Sequence, residues 1–221
     1  MSMKYLESVI ESGLFNEVSK ADYIETFEEL RVTGVNMMKG DVVFCEDDQV
    51  DKICIIESGS IRGEKAYSTG ELHIIQFYDQ GHIFALEEAV SKLRTSVMDY
   101  VCNEDSSIVF ISLSAIMKSR SSAQIMSFIM QRLADESIRK MHKIEILAER
   151  GLRDRIVMYL DILKKKSGTE TVHVNMGREQ LAQFLCVNRS ALSNELNKMR
   201  REGLIDFTKN EFIVYNEKGS E

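Results

Sequence analysis

The chain has 221 residues, 44% of them hydrophobic and 29% charged, with no proline or tryptophan and a formal net charge of −7. That composition can bury a core, and no apolar run approaches the roughly 18 residues that a membrane span needs. The N-terminal MSMKYLESVIESGLF is amphipathic and acidic rather than signal-like, which places the protein in the cytoplasm with no membrane partner.

In chain order, Glu7 to Leu30 predicts a helix that packs at the margin of a strand-rich region. Residues 36 to 113 read as strands: Val42–Phe44, Ile53–Ile56, Leu72–Phe77 and Ile108–Ile111 are apolar runs. Turn signals separate them, at Lys39-Gly40-Asp41, Asp47-Asp48, Ser58-Gly59-Ser60, Ser68-Thr69-Gly70 and Asp79-Gln80-Gly81. Short strands at such spacing predict a small barrel or sandwich. Cys45, Cys54, Cys102 and Cys186 lack any CxxC or Cys/His ligand spacing, as structural thiols in a reducing compartment do, so neither metal nor cofactor is expected.

From Ser114 the period becomes helical. Ile125, Ile129, Leu133, Met141, Ile144 and Ala148 form one stripe, while Met126, Met130 and Ile138 supply a second apolar face. A helix apolar on two sides needs two partners, one in its own subunit and one in another, which predicts a homodimer. Gly151 breaks that helix. Leu152 to Lys166 predicts another, followed by a short strand at Thr171–Val174, two helices joined by a tight turn (Arg178–Leu185 and Arg189–Glu202), and a hairpin over Ile205–Tyr215 turning at Lys209-Asn210.

Charge divides the same way. Residues 1–148 hold 15 Lys+Arg against 24 Asp+Glu, whereas 150–210 hold 12 against 7. An acidic front and a basic back predict two domains with different partners. In the helix pair, Leu181, Ala182, Leu185, Val187, Leu192, Leu196 and Met199 make the contact face, leaving Arg189, Ser190, Ser193, Asn194 and Asn197 outside. Arginine suits guanine O6 and N7, asparagine suits adenine N6 and N7, and serine accepts several base edges. Arg178, Lys198, Arg200 and Arg201 suit phosphates.

GREQLAQFLCVNRSALSNELNKMRREGLI resembles the winged helix-turn-helix of the Crp/Fnr family of bacterial transcription regulators. KGDVVFCEDDQVDKICIIESGSI and TGELHIIQFYDQGHIF resemble that family's cyclic-nucleotide-binding-type β-roll. The resemblance implies an α+β protein: a β-roll effector domain over 1–122, a long dimerisation helix over 123–148 and a winged helix-turn-helix DNA-binding domain over 149–221. It implies a regulator rather than an enzyme, binding double-stranded DNA at an inverted repeat, with RNA polymerase as a candidate further partner. An unidentified effector is expected near Phe84, Leu86, Arg94, Thr95 and Ser137.

Departures from the family narrow the effector. The Gly-Glu pair of cAMP-binding members, whose glutamate holds the ribose, aligns with Ala85-Leu86, and their phosphate-holding Arg-Ser/Thr pair aligns with Arg94-Thr95 one residue early. Leucine cannot accept the ribose hydrogen bond, and Glu136 adds a negative charge near the base position, so cAMP is not expected. No cysteine precedes Cys45, so the N-terminal iron–sulfur cluster of other members is absent. His73 and His82 fit haem ligation or, as lone histidines more often do, a structural role. In the second helix Arg189 matches the family's base-reading arginine, Ser190 stands where glutamate is common and Asn194 where arginine is; Cys186 replaces the usual turn glycine. Two alternatives stay open: an effector-independent or thiol- or haem-responsive regulator of the same fold, and a small-ligand-binding β-barrel protein or enzyme without DNA function.

Overall fold

Isoleucine-rich strands organise the front half. The computed structural model describes residues 3–66, 72–174 and 176–215, and these fall into two units with a boundary between Asp135 and Glu136. In the first unit β1 (Thr33–Met37), β2 (Val42–Phe44), β3 (Lys52–Ser58), β4 (Ser60–Ala66), β5 (Leu72–Asp79), β6 (Ile83–Phe84), β7 (Asp99–Cys102) and β8 (Ser106–Ser112) form two antiparallel sheets. Their orders are β1-β8-β3-β6 and β2-β7-β4-β5. The run Ile53-Cys54-Ile55-Ile56 is wholly buried, as a strand covered on both faces requires. Each such isoleucine contributes roughly 1.5–3 kcal/mol by leaving water. Gly59 sits at φ +84 between β3 and β4, where an added Cβ would collide with Ser106 and the Asp105 carbonyl. The Ser68-Thr69-Gly70 turn lies outside the described residues.

The expected single helix over Glu7–Leu30 is two. Helix α1 (Leu6–Glu11) stops before Gly13, whose φ of +83 ends helical geometry, and α2 (Tyr23–Leu30) starts after a 3₁₀ turn at Lys20–Asp22. Between them Leu14 and Phe15 drop into the core. Two short helices, α3 (Leu86–Val90) and α4 (Leu113–Lys118), interrupt the strand pattern.

Helix α5 (Ser122–Ala148) runs 27 residues and crosses the boundary between the units. Its start is tied down by Thr26 Oγ1 against Ser121 Oγ at 2.7 Å and by Arg120 paired with Glu25 and Glu29. Ile125, Phe128 and Ile129 are buried in the first unit's core, and Ile146 in the second's. Met141 and Ile144 do not share that buried stripe. They are 59% and 69% exposed, and Met130 is 62% exposed. The exposed residues keep a register of their own: Met130, Ala134, Ser137, Met141, Ile144 and Ala148, with half-buried Ser127 before them, alternate spacings of three and four.

The second unit continues with α6 (Leu152–Ser167), β9 (Thr171–His173), α7 (Arg178–Phe184), α8 (Arg189–Arg201), β10 (Ile205–Phe207) and β11 (Glu211–Val214). Helix α6 ends where the sequence says, at left-handed Gly168 after three lysines. The three strands form a sheet in the order β10-β11-β9.

Candidate nucleic-acid interface

Backbone chemistry at the helix ends sets the geometry of the helix pair. Helix α7 begins with the Gly177 N–H donating to Gln180 Oε1 at 2.8 Å. It ends with the Val187 N–H donating to the Ala182 carbonyl at 2.9 Å and the Cys186 N–H donating to that of Gln183 at 3.0 Å. This is the Schellman arrangement, which needs a left-handed residue. Cys186 fills that position at φ +56. Helix α8 ends identically, with the Leu204 N–H on the Met199 carbonyl and the Gly203 N–H on that of Arg200, both at 3.0 Å, and Gly203 at φ +74.

Asn188 caps the start of α8. Its Oδ1 accepts from the Ala191 N–H at 2.7 Å and from Ser190 Oγ at 3.0 Å. Leu192, Leu196 and Met199 are fully buried on one side of the helix. The opposite half-turn carries Arg189, Ser190, Asn194, Asn197, Lys198 and Arg201, all exposed, and half-buried Ser193. The predicted residues of this helix other than Arg200 therefore come together, although the Ser190 hydroxyl also serves the cap.

Arg178 and Arg200 are placed differently. Half-buried Arg178, at the start of α7, lies against the aromatic rings of the β10–β11 hairpin. Burial, and then the charge of Arg200, lower its pKa from the ordinary arginine value. Arg200, expected at a phosphate, is turned to that hairpin and ion-paired with Asp206 at 2.8 Å.

Two further arginines hold the helix pair, and no local pattern announces them. Arg153 on α6 donates to Glu195 at 2.8 Å and to Glu202 at 2.6 Å, spanning two turns of α8. The hydrogen bond from Arg153 holds the Glu202 carboxyl below its usual range. Arg155 donates to the carbonyls of Leu185 at 3.0 Å and Glu149 at 2.9 Å, satisfying groups that helix ends leave unpaired. The Asn188 cap, by contrast, is legible as an asparagine just before an amphipathic run.

In the first unit, the predicted effector residues separate by burial. Phe84 and Leu86 are buried, and the Phe84 ring lies 5.2 Å from that of Tyr100 and 5.8 Å from that of Tyr78. Ala85 precedes α3 in the left-handed region at φ +55. Leu86 brings no acceptor, and the nearby Glu88 turns inward: it is 5% exposed, accepts from the Tyr100 hydroxyl at 2.8 Å and leaves Oε2 unpartnered. Burial, followed by Tyr78 and Glu88, raises the Tyr100 pKa far above the phenolic range. Arg94 is exposed at φ +52, and Thr95 forms a bridge with Gln49. Ser137 is exposed on the part of α5 that belongs to the second unit. Cys54 and Cys102 are buried, Cys45 and Cys186 exposed. The His82 ring accepts from the Asp79 N–H at 2.9 Å, and the His73 side chain lies outside the described residues. Among the described residues, no three His, Cys, Asp or Glu side chains converge as metal ligands, and no helix is long and apolar enough to cross a membrane.

Comparison with known proteins matches both units. The family described as cyclic nucleotide-binding domain matches residues 35–121, and that described as Crp-like helix-turn-helix domain matches residues 154–219. The transcriptional regulatory protein btr of Bordetella pertussis is 28% identical over 202 residues, which is 86% of this chain and 81% of that protein. FixK2 from Bradyrhizobium japonicum has a similar structure, with a TM-score of 0.60 at 16% identity over 84% of this chain and 93% of its own. The c-di-GMP-responsive global regulator CLP of Xanthomonas campestris gives 0.62 at 18% identity over 90% and 100%. Structural likeness at such identities speaks to the fold, which is the expected α+β arrangement of a sheet domain, a long helix and a helix-turn-helix domain.

Proposed function

The chain belongs to the Crp/Fnr family of transcription regulators, and from that premise we propose that it acts in the cytoplasm as a homodimer reading an inverted-repeat operator under the control of a small effector. The observation that carries the DNA reading is the outer half-turn of α8, polar throughout and capped by the Asn188 side chain at its start and by backbone hydrogen bonds at its end. Arg189 reads guanine, Asn194 and Asn197 adenine, and Ser190 and Ser193 neighbouring edges. Arg178, Lys198 and Arg201 hold phosphates. RNA polymerase is the partner through which binding would affect transcription.

The dimer reading rests on the exposed register of α5. Side chains alternating by three and four residues make a left-handed coiled-coil seam. The small residues Ala134 and Ser137 at its middle let two such helices approach closely. Residues 123–148 thus serve as the dimerisation helix, between an effector domain over 1–122 and a DNA-binding domain over 149–221.

The effector is a molecule other than cAMP. Leu86 offers no acceptor for a ribose, and Glu88 is committed to Tyr100. The proposed site lies in the first unit and comprises Phe84, Leu86, Arg94 and Thr95, with Phe84 and Leu86 buried and Arg94 exposed.

Selection of genomic fragments by the purified protein tests the function. Enrichment of one inverted repeat, with half-sites about 34 Å apart along the duplex, is the expected outcome. Recovery of fragments with no shared sequence refutes it.

A further inference from the structure

We infer that Phe207 is a positioning residue for DNA binding: its ring, stacked on Phe212, holds the Arg178 guanidinium ready for a backbone phosphate, an inference that rests on the DNA-binding reading above. The two rings lie 5.5 Å apart and 25° from parallel. The Arg178 guanidinium carbon is 5.1 Å from the Phe207 centroid and 5.3 Å from that of Phe212. The Arg200 guanidinium carbon lies 3.8 Å over Phe207. Planar guanidinium groups stack on aromatic faces and are drawn to their negative quadrupole.

The two charges are answered differently. Arg200 is ion-paired with Asp206 and donates to the Phe207 carbonyl. Arg178 has no carboxylate partner among the described residues. Two like charges on one ring with a single acid beside them leave one positive charge over, and it belongs to Arg178. A carboxylate could have fixed that side chain equally well, but would have neutralised it. An aromatic ring fixes the cation and leaves its charge available. Arg178 is also half-buried, and partial desolvation strengthens a charge-assisted hydrogen bond to an anion. The phosphodiester backbone supplies an anion of matching geometry.

The test uses the full-length protein, its selected operator and a scrambled duplex, with affinity measured by anisotropy at several salt concentrations. Phe207→Leu should weaken binding to both duplexes equally and flatten the salt dependence by about 0.9 in log–log slope, the loss of one phosphate contact. Phe207→Tyr should restore both. In an Arg178→Gln background, Phe207→Leu should have no further effect on the slope, which separates positioning of Arg178 from general damage to the hairpin. An unchanged slope in Phe207→Leu, or additive losses in the double variant, overturns the inference and leaves the DNA reading standing. A wild-type protein with no affinity for either duplex overturns both.

Discussion

Replacing Cys186 by glycine should make the helix-turn-helix unit more stable. Cys186 occupies the left-handed position of a Schellman motif at φ +56, with a side chain exposed to solvent. Left-handed geometry costs an L-residue roughly 1–2 kcal/mol. Glycine escapes that cost but gains unfolded-state freedom, which takes back about 0.5–1 kcal/mol. The exposed thiol contributes little burial to offset either effect, so the net gain is about 0.5–1 kcal/mol. In a domain of this size that is a rise of roughly 2–8 °C in the unfolding midpoint. Scanning calorimetry of the full-length protein in reducing buffer would read it as an upward shift of one transition. Cys186→Ala keeps the Cβ and should leave the midpoint nearly unchanged, which removes loss of the thiol as an explanation. Gly203→Ala, at φ +74 in the matching motif of α8, should lower the midpoint. Equal midpoints for Cys186→Gly and Cys186→Ala would refute backbone strain as the cause.

Arg189→Ala should cost roughly 1–3 kcal/mol of operator affinity and relax specificity at one base pair, whereas Arg201→Ala should weaken operator and scrambled duplex alike and flatten the salt dependence; equal losses by both variants on both duplexes, measured by anisotropy, would refute that division of roles. Met141→Glu with Ile144→Glu should dissociate the dimer into folded monomers at micromolar concentration, since each apolar side chain covered in a seam contributes roughly 1.5–3 kcal/mol; light scattering that still reports a dimer rules the seam out. Ile129→Glu should instead unfold the first unit, because that residue is 1% exposed in its core, and circular dichroism distinguishes the outcomes. Calorimetry with cAMP should give no micromolar binding; a micromolar isotherm would contradict the reading of Leu86.

Legibility in the sequence tracks the range of the interaction. The break at Gly151, the ends of α8 and the hairpin turn at Lys209-Asn210 all rest on contacts a few residues apart, and all are where local rules put them. The strand at Ile53–Ile56 is legible as a continuous apolar run, although its pairing partners in β8 and β6 are not. The break at Gly13 escapes those rules because an isolated glycine in a helical pattern is only a weak stop signal. The phase of α5 is ambiguous in sequence because Met141 and Ile144 fit both a 3.6-residue stripe and a 3.5-residue seam, and only the burial of Ile125, Phe128, Ile129 and Ile146 separates the two. The outer side of α8 can be deduced by subtracting its leucines. Arg153, Arg155 and the pairing of Arg200 with Asp206 cannot, since each depends on how separate elements meet. The inward turn of Glu88 toward Tyr100 likewise comes from the closing of α3 over the sheet strands rather than from any spacing.

The exposed register on α5 works like a gear with fixed tooth spacing. Each residue added to a helix turns everything beyond it by about 100° and advances it 1.5 Å. One residue inserted between Asp135 and Glu136 would therefore carry Ser137, Met141, Ile144 and Ala148 a quarter turn out of line with Met130 and Ala134. Three or four would leave the halves some 40–60° apart, and seven would bring them back to within about 20°. Length changes in this helix are thus not graded by size: a heptad should be tolerated where a single residue is not.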